Sequence, residues 1–186
     1  MSSEGERRPV ISNYKISFYT IPNILLSVPE QEEENISYYS NFLVYRKKFV
    51  HTLFYSGFAN ITKIPSYDLI QEAVREFRAL AGLKIGEVEN YKVDTTTSSG
   101  HFGQKLNLRL VRKSLDLRRY DVIFSYKPSK FAGASIKFGK QYSCRRKFGT
   151  ITVFQSGAFT IVGAKSSERV EEIYELTREI LFTNPD

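Results

Sequence analysis

The chain has 186 residues, with 27 Lys and Arg against 20 Asp and Glu, 14 Phe, 12 Tyr, no Trp and one Cys. That length is one domain or two intimate halves, enough for a real core. The lone Cys144 excludes an internal disulfide framework and a cysteine metal site and fits a reducing compartment such as cytosol or nucleus, and no apolar run approaches the roughly 20 residues that span a bilayer. The net charge of +7 is uneven: residues 1–85 hold 10 Lys and Arg and 9 Asp and Glu, whereas residues 86–186 hold 17 and 11. A basic, aromatic-rich chain suits a nucleic-acid partner.

Residues 1–10 are polar and charged, carry no signal peptide and are expected to be a mobile tail. Tyr14 to Ile21 is rich in aromatic and β-branched residues and predicts a strand. The run Glu30 to Glu34 predicts a solvated acidic loop. Ile36 to Tyr45 predicts the next strand, Arg46-Lys47-Lys48 a basic turn, and Phe49 to Tyr55 and Phe58 to Ile64 two strands joined at Ser56-Gly57. Pro65-Ser66 starts a helix and Gly82 ends it; Leu69, Ile70, Ala73, Val74, Phe77 and Leu80 line its apolar face.

A second cycle follows. Tyr91 to Thr97 predicts a strand, Ser98 to Gly103 a loop, Leu106 to Leu117 a helix, and Tyr120 to Phe124 an extended piece. Ala132 to Phe138 and Phe148 to Phe154 predict strands around a basic segment, Lys140 to Lys147. Ser156-Gly157 is a tight-turn signal, and residues 158–162 predict the returning strand. Ser166 or Ser167 caps a final helix whose apolar face is Val170, Ile173, Tyr174, Thr177, Ile180 and Leu181.

The two cycles are copies. Thr52-Leu-Phe54-Tyr-Ser56-Gly57 matches Thr152-Val-Phe154-Gln-Ser156-Gly157 at an offset of 100, and Asn13-Tyr14-Lys15-Ile16 matches Asn90-Tyr91-Lys92-Val93 at an offset of 77. The repeats are therefore placed at 11–85 and 86–186. Each has one long amphipathic helix for one sheet, so the expected class is α+β: two pseudo-symmetric repeats forming a curved antiparallel sheet with helices on one face and the other face bare. Strand alternation puts Ile151 and Val153 toward the helices and Thr152 and Phe154 on the bare face. A bare sheet carrying Phe is a binding surface by default.

Phe154-Gln-Ser156-Gly157, Gly163-Ala164-Lys165-Ser166 and the upstream segment Ser125-Tyr126-Lys127-Pro128-Ser129-Lys130-Phe131 together resemble the TATA-binding protein family. The resemblance implies a saddle-shaped sheet with helices on its convex face, seated in a DNA minor groove, with a pair of Phe wedges from each half. By it, Phe131 and Phe154 are the wedges of the second half, and Phe54 and Phe42 those of the first, with Tyr38 or Tyr39 an alternative to Phe42. Thr152, Thr160 and Val162 would flank the groove, with Asn60 and Thr62 at the matching places of the first half. Asn13 and Asn90 would reach base acceptors on the groove floor, and Lys165 a phosphate. Arg46, Lys47, Lys48, Arg145, Arg146 and Lys147, at two expected hairpin tips, are further candidates for phosphate.

The implied function is a transcription initiation factor that binds and bends double-stranded, A·T-rich DNA as a monomer. Its further partners would be a transcription factor IIB-like protein and RNA polymerase machinery, with no cofactor and no membrane. The alternative is a family-derived protein-interaction module that does not bend DNA, favoured by the short first hairpin and by Lys63-Ile64-Pro65 standing where the second half has Gly163-Ala164-Lys165. His51 and His101 have no carboxylate or Cys cluster beside them in sequence, and no nucleophile–base constellation appears, so a metal site and catalysis are not expected.

Overall fold

The computed structural model describes residues 5–20, 34–82, 90–114, 122–139 and 149–182. The chain divides into two units, residues 12–94 and residues 1–11 with 95–186. Residues 30–33 of the acidic run and the whole basic segment 140–147 lie outside the described residues.

The 12–94 unit takes most of β1 (Arg7–Tyr19), then β2 (Ile36–Tyr38), β3 (Phe42–Arg46), β4 (Val50–Phe54), β5 (Phe58–Ile64), a 3-10 turn at Tyr67–Leu69 and α1 (Ile70–Ala81). Its strands run β2-β3-β4-β5-β1, each pair antiparallel. The stretch expected as one strand over 36–45 is two, because Tyr39 N–H donates to the Phe42 carbonyl at 2.8 Å and closes a turn there. The helix ends as its sequence dictates: Gly82 has φ 65° and donates its N–H to the Arg78 carbonyl, a left-handed cap that costs glycine nothing. Ile70, Ala73, Val74, Phe77, Leu80 and Ala81 are buried, as are Ile16, Phe18, Leu43, Leu53 and Ile61 of the strands. The Phe77 ring meets Phe18 edge-on at 4.9 Å.

Under the same helix lies His51, fully buried, with Nε2 2.9 Å from the Glu76 carboxylate. Burial pushes its pKa below 6.5, against the opposing pull of Glu76. The ring is therefore neutral at pH 7, donates from Nε2, and leaves Nδ1 without a partner among the described residues.

The other unit takes most of β6 (Lys92–His101), then α2 (Leu108–Ser114), β7 (Val122–Ser125), β8 (Ala134–Phe138), β9 (Gly149–Val153), β10 (Ala158–Val162) and α3 (Ser167–Phe182). Its strands run β6-β10-β9-β8-β7. Ser166 caps α3, its Oγ accepting the Arg169 N–H at 3.3 Å. The apolar face of α3 is the one its spacing predicts, packed on Ile136, Ile151, Val153, Phe159 and Ile161.

Two stretches expected to be irregular are strand. β6 continues through Ser98, Ser99 and Gly100, pairing with β10 from Val162↔Thr97 to Ala158↔His101. Small residues read as a loop, but here they let two neighbours approach: a Cβ on Gly100 would lie 2.4 Å from Phe159 Cζ and 2.5 Å from the Arg7 carbonyl oxygen. β1 likewise begins at Arg7, inside the stretch expected as a tail. Arg8 pairs with Glu171 at 3.0 Å and Glu175 at 2.8 Å, while the Tyr174 hydroxyl donates to Glu6. Burial first, then that carboxylate, raises the Tyr174 pKa to about 12.

Candidate nucleic-acid interface

Each unit covers one sheet face with its helix and leaves the other open. In the unit of β6–β10 the open face carries Thr97 and Ser99 from β6, Thr160 and Val162 from β10, Thr150 and Thr152 from β9, Ser135 and Lys137 from β8, and Ile123 and Ser125 from β7, alternating with the buried residues of the same strands. Thr152 and Thr160 face each other across β9 and β10. At the end of this face Phe154 meets Phe131, ring centroids 5.9 Å apart at 67°. Phe131 is 55% exposed. Gly133 lies beneath the pair: a Cβ there would come within 2.8 Å of Phe131 Cε1 and of Thr152 Cγ2. Lys165 is exposed, two residues past the left-handed Gly163, φ 87°.

In the 12–94 unit the open face carries Asn13, Lys15, Ser17 and Tyr19 from β1, Phe58, Asn60 and Thr62 from β5, Val50, Thr52 and Phe54 from β4, Phe42, Val44 and Arg46 from β3 and Ser37 from β2. Asn60 pairs with Thr52 and Thr62 with Val50, as Thr160 does with Thr152 and Val162 with Thr150. The burial pattern of residues 51–60 is identical to that of 151–160, and the turn glycines Gly57 and Gly157 both have positive φ, 84° and 98°. The 100-residue repeat is thus a repeat of structure. Among the described residues of both open faces there is no Asp or Glu.

The 77-residue match does not survive as a structural equivalence. Ile16 pairs with Ile61, and Ser98 pairs with Ile161. Since Ile61 and Ile161 correspond, β1 and β6 align at an offset of 82, and the counterpart of Asn13 is Thr95. Tyr14 opposite Ile64 agrees with it, since Thr96 N–H donates to the Ala164 carbonyl at 2.7 Å. The four-residue likeness around Asn90 is local. Tyr91 is turned toward Tyr67 and Gln71 at the start of α1; burial, then the Tyr67 contact, raises its hydroxyl pKa. Thr95 uses its hydroxyl to accept the Gly163 N–H at 3.0 Å, whereas the Asn13 Oδ1 is buried with no partner among the described residues.

The aromatic residues of the first repeat also differ from expectation. Tyr39 stacks on Phe42 at 4.5 Å and 13°, and tilted contacts continue the row from Phe42 to Phe54 at 5.3 Å, Phe54 to Phe58 at 5.7 Å and Phe58 to Tyr19 at 5.3 Å. Five rings stand where the second repeat has two. Phe58 and Tyr19 were legible from alternation, since each is an even number of residues from Asn60 and Asn13; the counterpart of Phe58 is Ala158, so the repeat itself gave no hint. Of the basic turn, Arg46 donates to the Ser37 hydroxyl at 3.0 Å and Lys48 pairs with Glu72 of α1 at 2.7 Å. Lys48 is thereby drawn to the helix side. Arg145, Arg146 and Lys147 lie outside the described residues. No group of His, Cys, Asp and Glu able to hold a metal occurs among the described residues.

Comparison with known proteins agrees with this arrangement. The family model described as transcription factor TFIID (or TATA-binding protein, TBP) matches residues 90–183, half of the chain. The solved structure of Methanococcus jannaschii TBP superposes with a TM-score of 0.72 over 94% of this chain and 98% of that one, at 19% identity. No curated protein sequence matches. The fold is that of the archaeal protein, α+β with two antiparallel repeats, each backed by a helix. The chain belongs to the TATA-binding protein family, whose members are DNA-binding transcription factors and not enzymes.

Proposed function

We propose that the chain is a transcription initiation factor that lays the open face of each repeat in the minor groove of an A·T-rich duplex and bends it, with aromatic rings inserted between base steps. The observation that carries this is the Phe131–Phe154 pair, seated over the bare backbone of Gly133 at the end of a face of Thr, Ser, Val, Ile and Lys137, with no carboxylate on that face among the described residues. A phosphate-lined groove repels carboxylates and accepts small, β-branched side chains against its sugars and base edges. Opening a base step costs about a few kcal/mol in minor-groove complexes, those of TATA-binding proteins among them, and is offset by the wider contact of the bent duplex. Asn13 lies on the open face of its repeat with Oδ1 buried and unpartnered among the described residues; in this reading its Nδ2 is the group that donates to the acceptor-only floor of an A·T groove. Thr152, Thr160, Val162, Asn60 and Thr62 line the groove in it, and Lys165 contacts a phosphate. A transcription factor IIB-like protein and the polymerase machinery are the partners in this reading, and the chain acts as a monomer on DNA.

The rival reading, a protein-binding module without DNA bending, rested partly on the absence of Gly163-Ala164-Lys165 from the first repeat. Lys63 has φ 60° where Gly163 has 87°, so the backbone turn is kept though the glycine is not. The test is an end-labelled A·T-rich duplex against a random one, with bending read by energy transfer and affinity read from low to high salt. DNA binding predicts an affinity that falls steeply and linearly on logarithmic axes, and Phe131→Ala with Phe154→Ala removes the bend while the fold persists. Salt-independent binding, or an unchanged bend in the double variant, would sink the reading.

A further inference from the structure

The first repeat fills the space beneath its wedge differently from the second. In β3 and β4, Val44 faces Thr52 and Leu43 faces Leu53, with Phe42 opposite Phe54. In β8 and β9, Ser135 faces Thr152 and Ala134 faces Val153. Since Thr52 corresponds to Thr152, Val44 corresponds to Ser135, Leu43 to Ala134 and Phe42 to Gly133. The residue expected as a wedge therefore stands at the position where the second repeat has no side chain at all, and it is half-buried between two rings.

The same register sets Ser40 at the place of Phe131, and the ring beside it, stacked on Phe42, is Tyr39. Tyr39 and Phe131 each stand in a turn just before a strand with the N–H bonded, Tyr39 forward to the carbonyl of Phe42 at the start of β3 at 2.8 Å and Phe131 back to the Lys127 carbonyl at 3.0 Å. Each is an exposed end of its aromatic group, 48% for Tyr39 and 55% for Phe131, the other end of the first repeat's row being Tyr19 at 75%. Tyr39 lies nearly parallel to Phe42, 13° between planes, so its outer face is presented flat, the orientation in which a base stacks on an aromatic ring.

We propose that Tyr39, not Phe42, is the ring that the first repeat places against the opened base step, with Phe42 as the plate behind it and Phe54 as its partner across the strands. This rests on the minor-groove reading above. It makes the wedge of the first repeat three rings thick and gives its tip a hydroxyl, which the Phe131–Phe154 wedge lacks.

The test uses the full chain and an A·T-rich duplex labelled for bending, with 2-aminopurine placed at successive steps to report which one opens. Tyr39→Ala is expected to bind about 10-fold more weakly, within the range of one lost base–aromatic stack, and to lose the 2-aminopurine signal at one step only. Phe131→Ala is expected to lose it at a different step. Tyr39→Phe keeps the ring and is expected to keep both signals. Unaltered thermal melting of the Tyr39 variants confirms that the fold is intact. If Tyr39→Ala opens both steps like the parent while Phe131→Ala loses one, intercalation stands and the assignment of Tyr39 is overturned. If Tyr39→Phe loses the signal as fully as Tyr39→Ala, the hydroxyl and not ring stacking is responsible, and the proposal is wrong. If Phe131→Ala also leaves both steps open, the intercalation reading fails and this proposal fails with it.

Discussion

Lys63 and Gly163 hold the same place in the two repeats, one residue beyond Thr62 and Val162, and both have positive φ, 60° and 87°. Lys63 is the one non-glycine residue with positive φ among those described. A left-handed backbone costs an L-residue about 1–2 kcal/mol, and the register of β1 shifts at the neighbouring bulge between Tyr14 and Ile16. The turn is thus imposed on Lys63 by the strand pairing around it. Replacing Lys63 by Gly relieves the strain but adds freedom to the unfolded chain worth about 0.5–1 kcal/mol. The expected net is a gain of roughly 0.5 kcal/mol, read as a small rise in the urea midpoint with an unchanged slope. The reverse change, Gly163→Ala, meets only Gly149 Cα at 3.6 Å, so its expected loss of about 1–2 kcal/mol is backbone strain alone.

Gly133 is a different kind of glycine, required for space. Gly133→Ala puts a methyl 2.8 Å from Phe131 Cε1 and Thr152 Cγ2. The exposed Phe131 ring is the part free to move, so the fold is expected to lose only about 1–2 kcal/mol, in the range of modest overpacking. DNA bending is expected to fall well beyond that, because the displaced ring no longer lies against Phe154. A variant that bends DNA normally would show that the Phe131–Phe154 geometry is unimportant.

The pH dependence of stability carries the mark of His51. Its folded pKa lies below 6.5 through burial, so below pH 6.5 the unfolded chain holds a proton that the folded chain does not. Stability from this group is full above pH 6.5 and declines as pH falls through that value toward the folded pKa. Urea midpoints at pH 7.5 and pH 5 are expected to differ more for the parent than for His51→Gln, which keeps a donor for Glu76 but cannot titrate. Equal differences in the two proteins would remove His51 from the account.

Lys165 offers a check on phosphate contact. Lys165→Ala is expected to weaken DNA binding about equally for A·T-rich and random duplex and to lower the slope of affinity against salt by about one. Lys48→Ala, whose cation faces Glu72 on α1, is expected to leave that slope unchanged. A slope that falls for Lys48→Ala and holds for Lys165→Ala would reverse the two assignments.

Local pattern carried a large part of the fold. The helical stripes from Ile70 to Leu80 and from Val170 to Leu181 are buried as their spacing predicts, since a helix buries whatever recurs every three or four residues. The 100-residue repeat was legible because it rests on a tight turn, Ser-Gly, whose chemistry is local. The alternation of Ile151 and Val153 against Thr152 and Phe154 placed the open face for the same reason. What pattern could not supply was register. Whether Asn90 or Thr95 answers to Asn13 depends on which residues β6 and β10 set opposite each other, and that is decided by the close approach of Gly100 to Phe159 and Arg7, residues far apart in the chain. Whether Phe42 or Tyr39 is the ring beside the place of Phe131 depends on the turn that splits one expected strand into β2 and β3. Period-two alternation names the faces of a strand but not its partner; the partner is chosen by packing across the sheet, and the placement of each aromatic ring follows from that choice.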